Sequence, residues 1–228
     1  MIYVTGDKHG TDLVDIHVFC DNNPNLTKSD YLIIAGDFGG VFLPNEVENN
    51  LDEFSKLPFT VLFVDGNHEN FDLLYQYPVK EFCGGKVHFI RDDIMHLMRG
   101  EVYEIDGIKI FTFGGATSVD KGGRTPGFDW WEQEIPTQSE IDNGIFNLRK
   151  HDYYVDYVIT HSCDTKMLYY PIIRNADRRK CDQKPENAIL DIFEDYAKYK
   201  HWYFGHFHVD AKLNDKKTVL YRAIIPLK

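Results

Sequence analysis

No apolar run in this sequence approaches the ~20 residues needed to cross a bilayer, so a transmembrane protein is not expected. The chain opens directly on an apolar strand pattern, Ile2–Val4, with neither a basic segment nor an apolar leader. No export signal is read there, and a cytoplasmic location is expected. Cysteine is scarce. Cys20, Cys83, Cys163 and Cys181 are widely spaced and form no Cys-x-x-Cys pair. That argues against a thiolate zinc cluster and for reduced, mostly buried thiols. Basic residues are in deficit, 25 Lys and Arg against 36 Asp and Glu, for a net charge of −11. A broad, non-specific nucleic-acid surface is thereby excluded. A phosphate substrate is not, because bound cations reverse the local field. No fixed-period repeat, low-complexity tract or linker divides the chain. Residues 1–228 are expected to form a single domain, long enough to bury a two-sheet core.

What the sequence does have is a recurring punctuation. Ile2–Val4 leads into Gly6-Asp7-Lys8-His9-Gly10, Tyr31–Ala35 into Gly36-Asp37-Phe38-Gly39-Gly40, and Phe59–Val64 into Gly66-Asn67-His68-Glu69. Much later, Tyr157–Thr160 precedes His161, and Trp202–Phe204 precedes Gly205-His206-Phe207-His208. Packing does not require Asp, Asn and His at five strand ends. Together they point to a metal centre with a bound hydroxide.

The first ~70 residues read as alternating strand and helix, with Val14–Phe19 and Val47–Leu57 as linking helices, which implies parallel strands and right-handed crossovers. Val87–Ile90, Ile94–Met98, Val102–Ile105 and Ile108–Phe113 then follow as short strands, with a hairpin turn at Asp106-Gly107. They read as a second, more antiparallel sheet. Thr137 or Ser139 caps a helix running to about Lys150, with Glu140 in its first turn. Tyr154–Thr160 is a strand, Asp164–Lys184 is polar and irregular, and Pro185–Lys200 is a helix. Tyr203–Phe204, Val209–Leu213 and Val219–Ile225 close the chain as strands, with a turn at Asn214-Asp215. Two stacked sheets flanked by helices is the simplest architecture.

Ligands at the carboxyl ends of strands converge in α/β sheets. That rule gathers Asp7, His9, Asp37, Asn67, His161, His206 and His208. Carboxylate, imidazole and amide oxygen together suit borderline divalent ions: Mn(II), Fe(II), Zn(II) or Ni(II). Seven candidates are too many for one catalytic ion with an open position, and about right for two ions sharing a carboxylate. Gly6, Gly10, Gly36, Gly66 and Gly205 would let the backbone turn beside them.

The ordered set Gly-Asp-x-His-Gly, Gly-Asp-x-x-Gly, Gly-Asn-His-Glu, strand-end His and Gly-His-x-His resembles the signature of the calcineurin-like metallophosphoesterases, from Asp7 to His208. The resemblance implies an α/β fold, a four-layer α/β/β/α sandwich with two mixed β-sheets flanked by helices. It implies one metal at Asp7, His9, Asp37 and His208, a second at Asp37, Asn67, His161 and His206, and His68 as the catalytic histidine. A hydroxide bridging the two ions would attack phosphorus. The family's protein Ser/Thr phosphatases carry Asp-Arg where this chain has Gly40-Val41, which argues against protein phosphatase activity. Either Glu69 or Asp65 is a candidate to orient His68 in place of that missing Asp. After His161 the chain reads Ser162-Cys163-Asp164, where the family often has a proline-containing turn.

The expected activity is hydrolysis of a phosphomonoester or phosphodiester, with a nucleotide among the candidate substrates. A nuclease or nucleotide phosphodiesterase of the same fold, or a non-catalytic scaffold, are the alternatives. The presence of His68 and every ligand disfavours the scaffold. The connection Gly122–Pro136 is long enough to overhang the metals. Arg124 within it is a candidate phosphate contact, because its planar donor fork suits phosphate. Trp130 or Trp131 would pin that loop to the core, or stack on a nucleobase. The basic run Arg174, Arg178, Arg179, Lys180 and Lys184 is a solvated face or a rim that draws in anions. His17, His88, His96, His151 and His201 are read as surface or structural.

Overall fold

Strand and helix alternate through the first 63 residues of the computed structural model, which describes residues 1–10 and 12–228. The order is β1 (Ile2–Thr5), α1 (Val14–Asp21), β2 (Tyr31–Ile34), α2 (Val47–Ser55) and β3 (Thr60–Phe63). β3 is buried at every position, as a parallel strand covered on both faces must be. Helix α2 buries Val47, Asn50, Leu51 and Phe54, a stripe at i, i+3, i+4 and i+7. Each apolar side chain of that stripe contributes ~1.5–3 kcal/mol on burial.

There follow α3 (Phe71–Leu74), β4 (Val79–Phe82), β5 (Gly85–Arg91), β6 (Ile94–Leu97), β7 (Glu101–Ile105), β8 (Ile108–Phe113), α4 (Gln138–Lys150), β9 (Tyr154–Thr160), α5 (Pro171–Ala176), α6 (Pro185–Tyr196), β10 (Lys198–Phe204), β11 (Ala211–Lys212), β12 (Lys217–Val219) and β13 (Ile225–Leu227). One sheet has seven strands in the order β13-β1-β2-β3-β6-β5-β4, the other six in the order β11-β12-β10-β9-β8-β7. Both follow one plan. Four central strands are parallel, β1-β2-β3-β6 and β8-β9-β10-β12, and the outer pairings are antiparallel.

Apolar side chains of both sheets meet in a central core containing Val4, Ile33, Leu62, Ile110, Ile159 and Tyr203. Helices α1, α2 and α3 cover the outer face of the larger sheet around Phe38, Phe54 and Phe63. Helices α4, α5 and α6 cover the smaller one around Phe111, Phe193 and Trp202. The result is a four-layer α/β/β/α sandwich. Among the described residues no helix is long and apolar enough to cross a membrane.

Five expectations are corrected. The stretch Asp164–Lys184, read as irregular, contains helix α5 (Pro171–Ala176). The hairpin β5–β6 joins the first sheet, because β6 pairs in parallel with β3 (Val61 opposite Ile94), so the second sheet begins only at β7. The helix expected to reach Lys200 ends at Tyr196, and β10 starts at Lys198. The expected strand Val219–Ile225 is two strands in different sheets, with the chain crossing between them after Val219. Of the four free thiols only Cys163 is buried; Cys20, Cys83 and Cys181 are partly exposed. The helix capped at Thr137 is as read, with Glu140 completing a capping box: Thr137 accepts from the Glu140 amide, and the Glu140 carboxylate accepts from the Thr137 amide.

Candidate metal centre

Five parallel strands deliver the ligand-type residues. β1 ends before Asp7 and His9, β2 before Asp37, β3 before Asn67, β9 before His161, and β10 before His206 and His208. The first three belong to one sheet and the last two to the other, so the crevice lies across the carboxyl ends of both. Backbone hydrogen bonds lace the loops together. Lys8 and His9 amides donate to the Asp37 carbonyl at 3.0 and 2.9 Å, and Gly205 donates to the His161 carbonyl at 2.9 Å.

The local backbone is unusual. His9, Asp37, His206 and His208 all have positive φ, between 47° and 70°. Left-handed backbone at non-glycine residues costs of order 1–3 kcal/mol each and concentrates at functional sites. A Cβ at Gly36 would collide with the His161 ring, and one at Gly66 with the Asp37 carboxylate. Glycine at these two positions is what lets the ligand loops approach each other.

The side chains form two groups with Asp37 in common. Ligand atoms of Asp7, His9, Asp37 and His208 lie within 4.8 Å of one another, as do those of Asp37, His161 and His206. His9 Nε2 is 3.0 Å from His208 Nε2, and His208 Nε2 is 3.1 Å from Asp7 Oδ2. His161 Nε2 is 3.2 Å from both Asp37 Oδ1 and His206 Nδ1. His161 Nδ1 lies 2.9 Å from the Ala35 carbonyl. It must donate there, which leaves Nε2 as the nitrogen facing Asp37 and His206.

These residues fit a divalent cation. Asn67 Oδ1 is buried without a hydrogen-bond donor, and Asp7 Oδ2 has the His208 ring nitrogen nearby but not in hydrogen-bond geometry. Such oxygens are costly to leave unpaired, and a cation would satisfy both. The field has the right sign. Burial pushes Asp37 upward, yet His161, His68 and His9 outweigh it and hold the carboxyl well below the usual range. Burial likewise disfavours the charged form of His161, but the adjacent Asp37 and Asp7 carboxylates drive its pKa up to about 10. At His161 the crevice stabilises positive charge. Burial lowers His9, and burial with the nearby Lys180 lowers His206 well below the ordinary histidine value.

His68 stands apart from both groups. It is half-buried at the wall of a cleft of about 600 Å³ that also reaches Asn67, His206 and His208. Its ring centroid lies 4.6 Å from that of His9, edge to face, and its backbone amide donates to Asp37 Oδ1 at 2.9 Å. Neither Glu69 nor Asp65 reaches the ring. Glu69 binds the backbone amides of Phe38, Gly39 and Gly66. Asp65 binds His96 at 3.0 Å and the Arg99 guanidinium. The acids that share the cleft wall with His68 are Asp120 and Asp177.

Arg124 also lines the cleft, but its fork is engaged. Nε lies 2.7 Å from Asp120 and Nη1 donates to the Asp129 carbonyl at 2.9 Å. Trp131 anchors the loop, buried against the outer core of the larger sheet with its indole donating to Asp72 at 2.9 Å. The basic run divides: Arg179 and Lys180 line the cleft, whereas Arg174 and Arg178 are exposed elsewhere. Individual roles within that run, and the Glu69 contacts, are not visible in sequence, because they depend on which backbone faces them.

Comparison with known proteins places these observations. The family model described as calcineurin-like phosphoesterase matches residues 1–210. No curated protein matches the chain. A phosphopantetheinyl hydrolase from Mycobacterium tuberculosis is structurally similar at a TM-score of 0.45 and 17% identity, over 96% of this chain and 87% of that one.

Proposed function

The chain belongs to the calcineurin-like phosphoesterase family, and from that premise we propose that it is a two-cation phosphoesterase acting on phosphomonoesters or phosphodiesters. Asp7, His9, Asp37 and His208 would hold one cation, and Asp37, Asn67, His161 and His206 the other. When bound, such cations would supply charge to neutralise the phosphoryl oxygens and would acidify a water. Manganese, iron, zinc and nickel all suit the donor set.

The chain's own residues do the rest. Asp37 is the observation that carries the reading, because it is the one residue common to both groups of converging ligand atoms. The contact of His161 Nδ1 with the Ala35 carbonyl supports a ligand role for Nε2 in this reading. His68 is the general acid of this proposal. It lies on the cleft side of the cluster, outside both ligand groups, where it would give a proton to the departing alkoxide. Arg124 is assigned to the cleft wall. A phosphate would have to displace Asp120 to gain its donor fork.

The test is reconstitution of the metal-free protein with each of the four ions, followed by assay on p-nitrophenyl phosphate and bis-p-nitrophenyl phosphate. Turnover of at least one ester, with two metal equivalents bound, is expected. No turnover with any ion on a broad phosphate panel, or saturation at a single equivalent, overturns the proposal.

A further inference from the structure

Three cations line the cleft beside the metal centre, and two are already neutralised. Arg124 is paired with Asp120, and Arg179 is paired with Asp177 at 2.8 Å. Lys180 is different. Its ammonium donates to the backbone carbonyl of His206 and has no ion-pair partner among the described residues. In a chain of net charge −11, a half-buried lysine against the backbone of a proposed cation ligand, with no carboxylate in direct contact and the nearby Asp177 already paired with Arg179, is an unusual arrangement. It repels the cations the centre is proposed to hold unless an anion lies between or beside them.

The transferred phosphoryl group would be balanced by the cations and His68. It does not fill the cleft either. A volume of about 600 Å³ falls in the range of ~300–1,000 Å³ that accommodates whole small ligands. Ile172, Phe207 and Val209 supply apolar wall between the polar groups. Beyond the cluster, the lining comes from residues 119–124 and from the stretch 172–180 that carries Lys180.

We propose that Lys180 forms a subsite for a second anionic group, so that the substrate is a small phosphoester bearing a further phosphate or carboxylate on a partly apolar spacer. This rests on the phosphoesterase reading of the same site and names its substrate class.

Calorimetric titration of the metal-reconstituted protein with two non-hydrolysable probes, phenylphosphonate and propane-1,3-bisphosphonate, tests it without turnover. The wild type is expected to bind the bisphosphonate at least ~10-fold more tightly, as a charge-assisted hydrogen bond allows. Lys180→Gln should abolish that ratio, and Lys180→Arg should restore most of it. Lys200→Gln, which removes an exposed lysine paired with Asp156, should leave the ratio as it is. A ratio unchanged in Lys180→Gln overturns the subsite, as does an equal loss for both probes, which would assign Lys180 to the transferred phosphoryl group. If the wild type binds phenylphosphonate with no preference for the bisphosphonate, the subsite alone fails. If it binds neither probe and hydrolyses no ester, the phosphoesterase reading fails with it.

Discussion

Asp37 and Glu69 each accept hydrogen bonds from the backbone of the loop that carries the other. Asp37 Oδ1 takes the amides of Asn67 and His68 at 2.8 and 2.9 Å. Glu69 Oε1 takes those of Phe38 and Gly39 at 2.7 and 3.3 Å, and Oε2 takes Gly66 at 2.6 Å. The spacing between Asp37 and His68 is therefore set by this reciprocal bracket. Glu69→Ala would strand three buried amides, each costing ~1–3 kcal/mol. A loss of about 3 kcal/mol or more is expected from urea unfolding of the metal-free protein, with weaker metal binding in titrations. Glu69→Gln keeps one carbonyl acceptor and should fall between. An Ala variant with the wild-type urea midpoint would show that the bracket is not structural.

His68 is proposed to act on the leaving group, so its removal should separate binding from chemistry. For His68→Asn, kcat on an alkyl phosphate is expected to fall ~100- to 10,000-fold, with two metal equivalents still bound. The loss should be smaller for p-nitrophenyl esters, because p-nitrophenolate leaves without a proton. An identical loss on both substrate types would point instead to stabilisation of the phosphoryl oxygens. Concurrent loss of metal would place His68 among the ligands.

The ligand pattern is legible in the sequence because each short polar motif directly follows its own apolar run, and parallel strands bring those ends to one crevice. The distribution of strands between sheets is not. The hairpin β5–β6 has the local signature of either sheet, and its place is decided by the non-local pairing of Val61 with Ile94. In the same way, Val219–Ile225 reads as one strand. The Leu220 amide bonds the Phe204 carbonyl in one sheet, while Ile225 pairs with Val4 in the other. Glu69 is opaque for a further reason. Its partners are backbone amides, which every residue but proline offers, so no side-chain motif marks them.

A second buried network gives a pH signature independent of the metals. His88 Nδ1 lies 2.9 Å from His96 Nδ1, and its ring stacks on Tyr75 at a centroid distance of 5.4 Å. Burial, reinforced by His96, lowers the His88 pKa to about 3. Because the folded pKa lies below the unfolded one, the unfolded chain takes up the proton first. Stability is therefore full above ~6.5 and is lost as pH falls toward 3. Between pH 7.5 and 5 the His88 contribution should fall by roughly 2 kcal/mol. Urea titrations of wild type and His88→Gln at both pH values isolate it, since the other histidines are common to both. Equal pH slopes in the two proteins would remove His88 as the cause.

Chelation should destabilise the fold as well as abolish turnover. Asp7 and Asp37 are buried in one cluster, and each carboxylate's charge opposes ionisation of the other. A bound cation relieves that repulsion and also pairs the stranded oxygens of Asp7 and Asn67. At a free ion concentration ~100-fold above Kd, linkage adds about 2.7 kcal/mol. In a chain of this size that corresponds to a rise in Tm of roughly 5–10 °C. Asp37→Asn alters the ligand common to both groups, so it should bind at most one equivalent and show a smaller shift. Asp7→Asn touches one group only and should retain the other ion. Scanning fluorimetry with and without chelator, paired with elemental analysis of the dialysed proteins, reads both effects. Two equivalents bound by Asp37→Asn, or a wild-type Tm indifferent to chelator, would mean that Asp37 is not the shared ligand on which the two-cation centre depends.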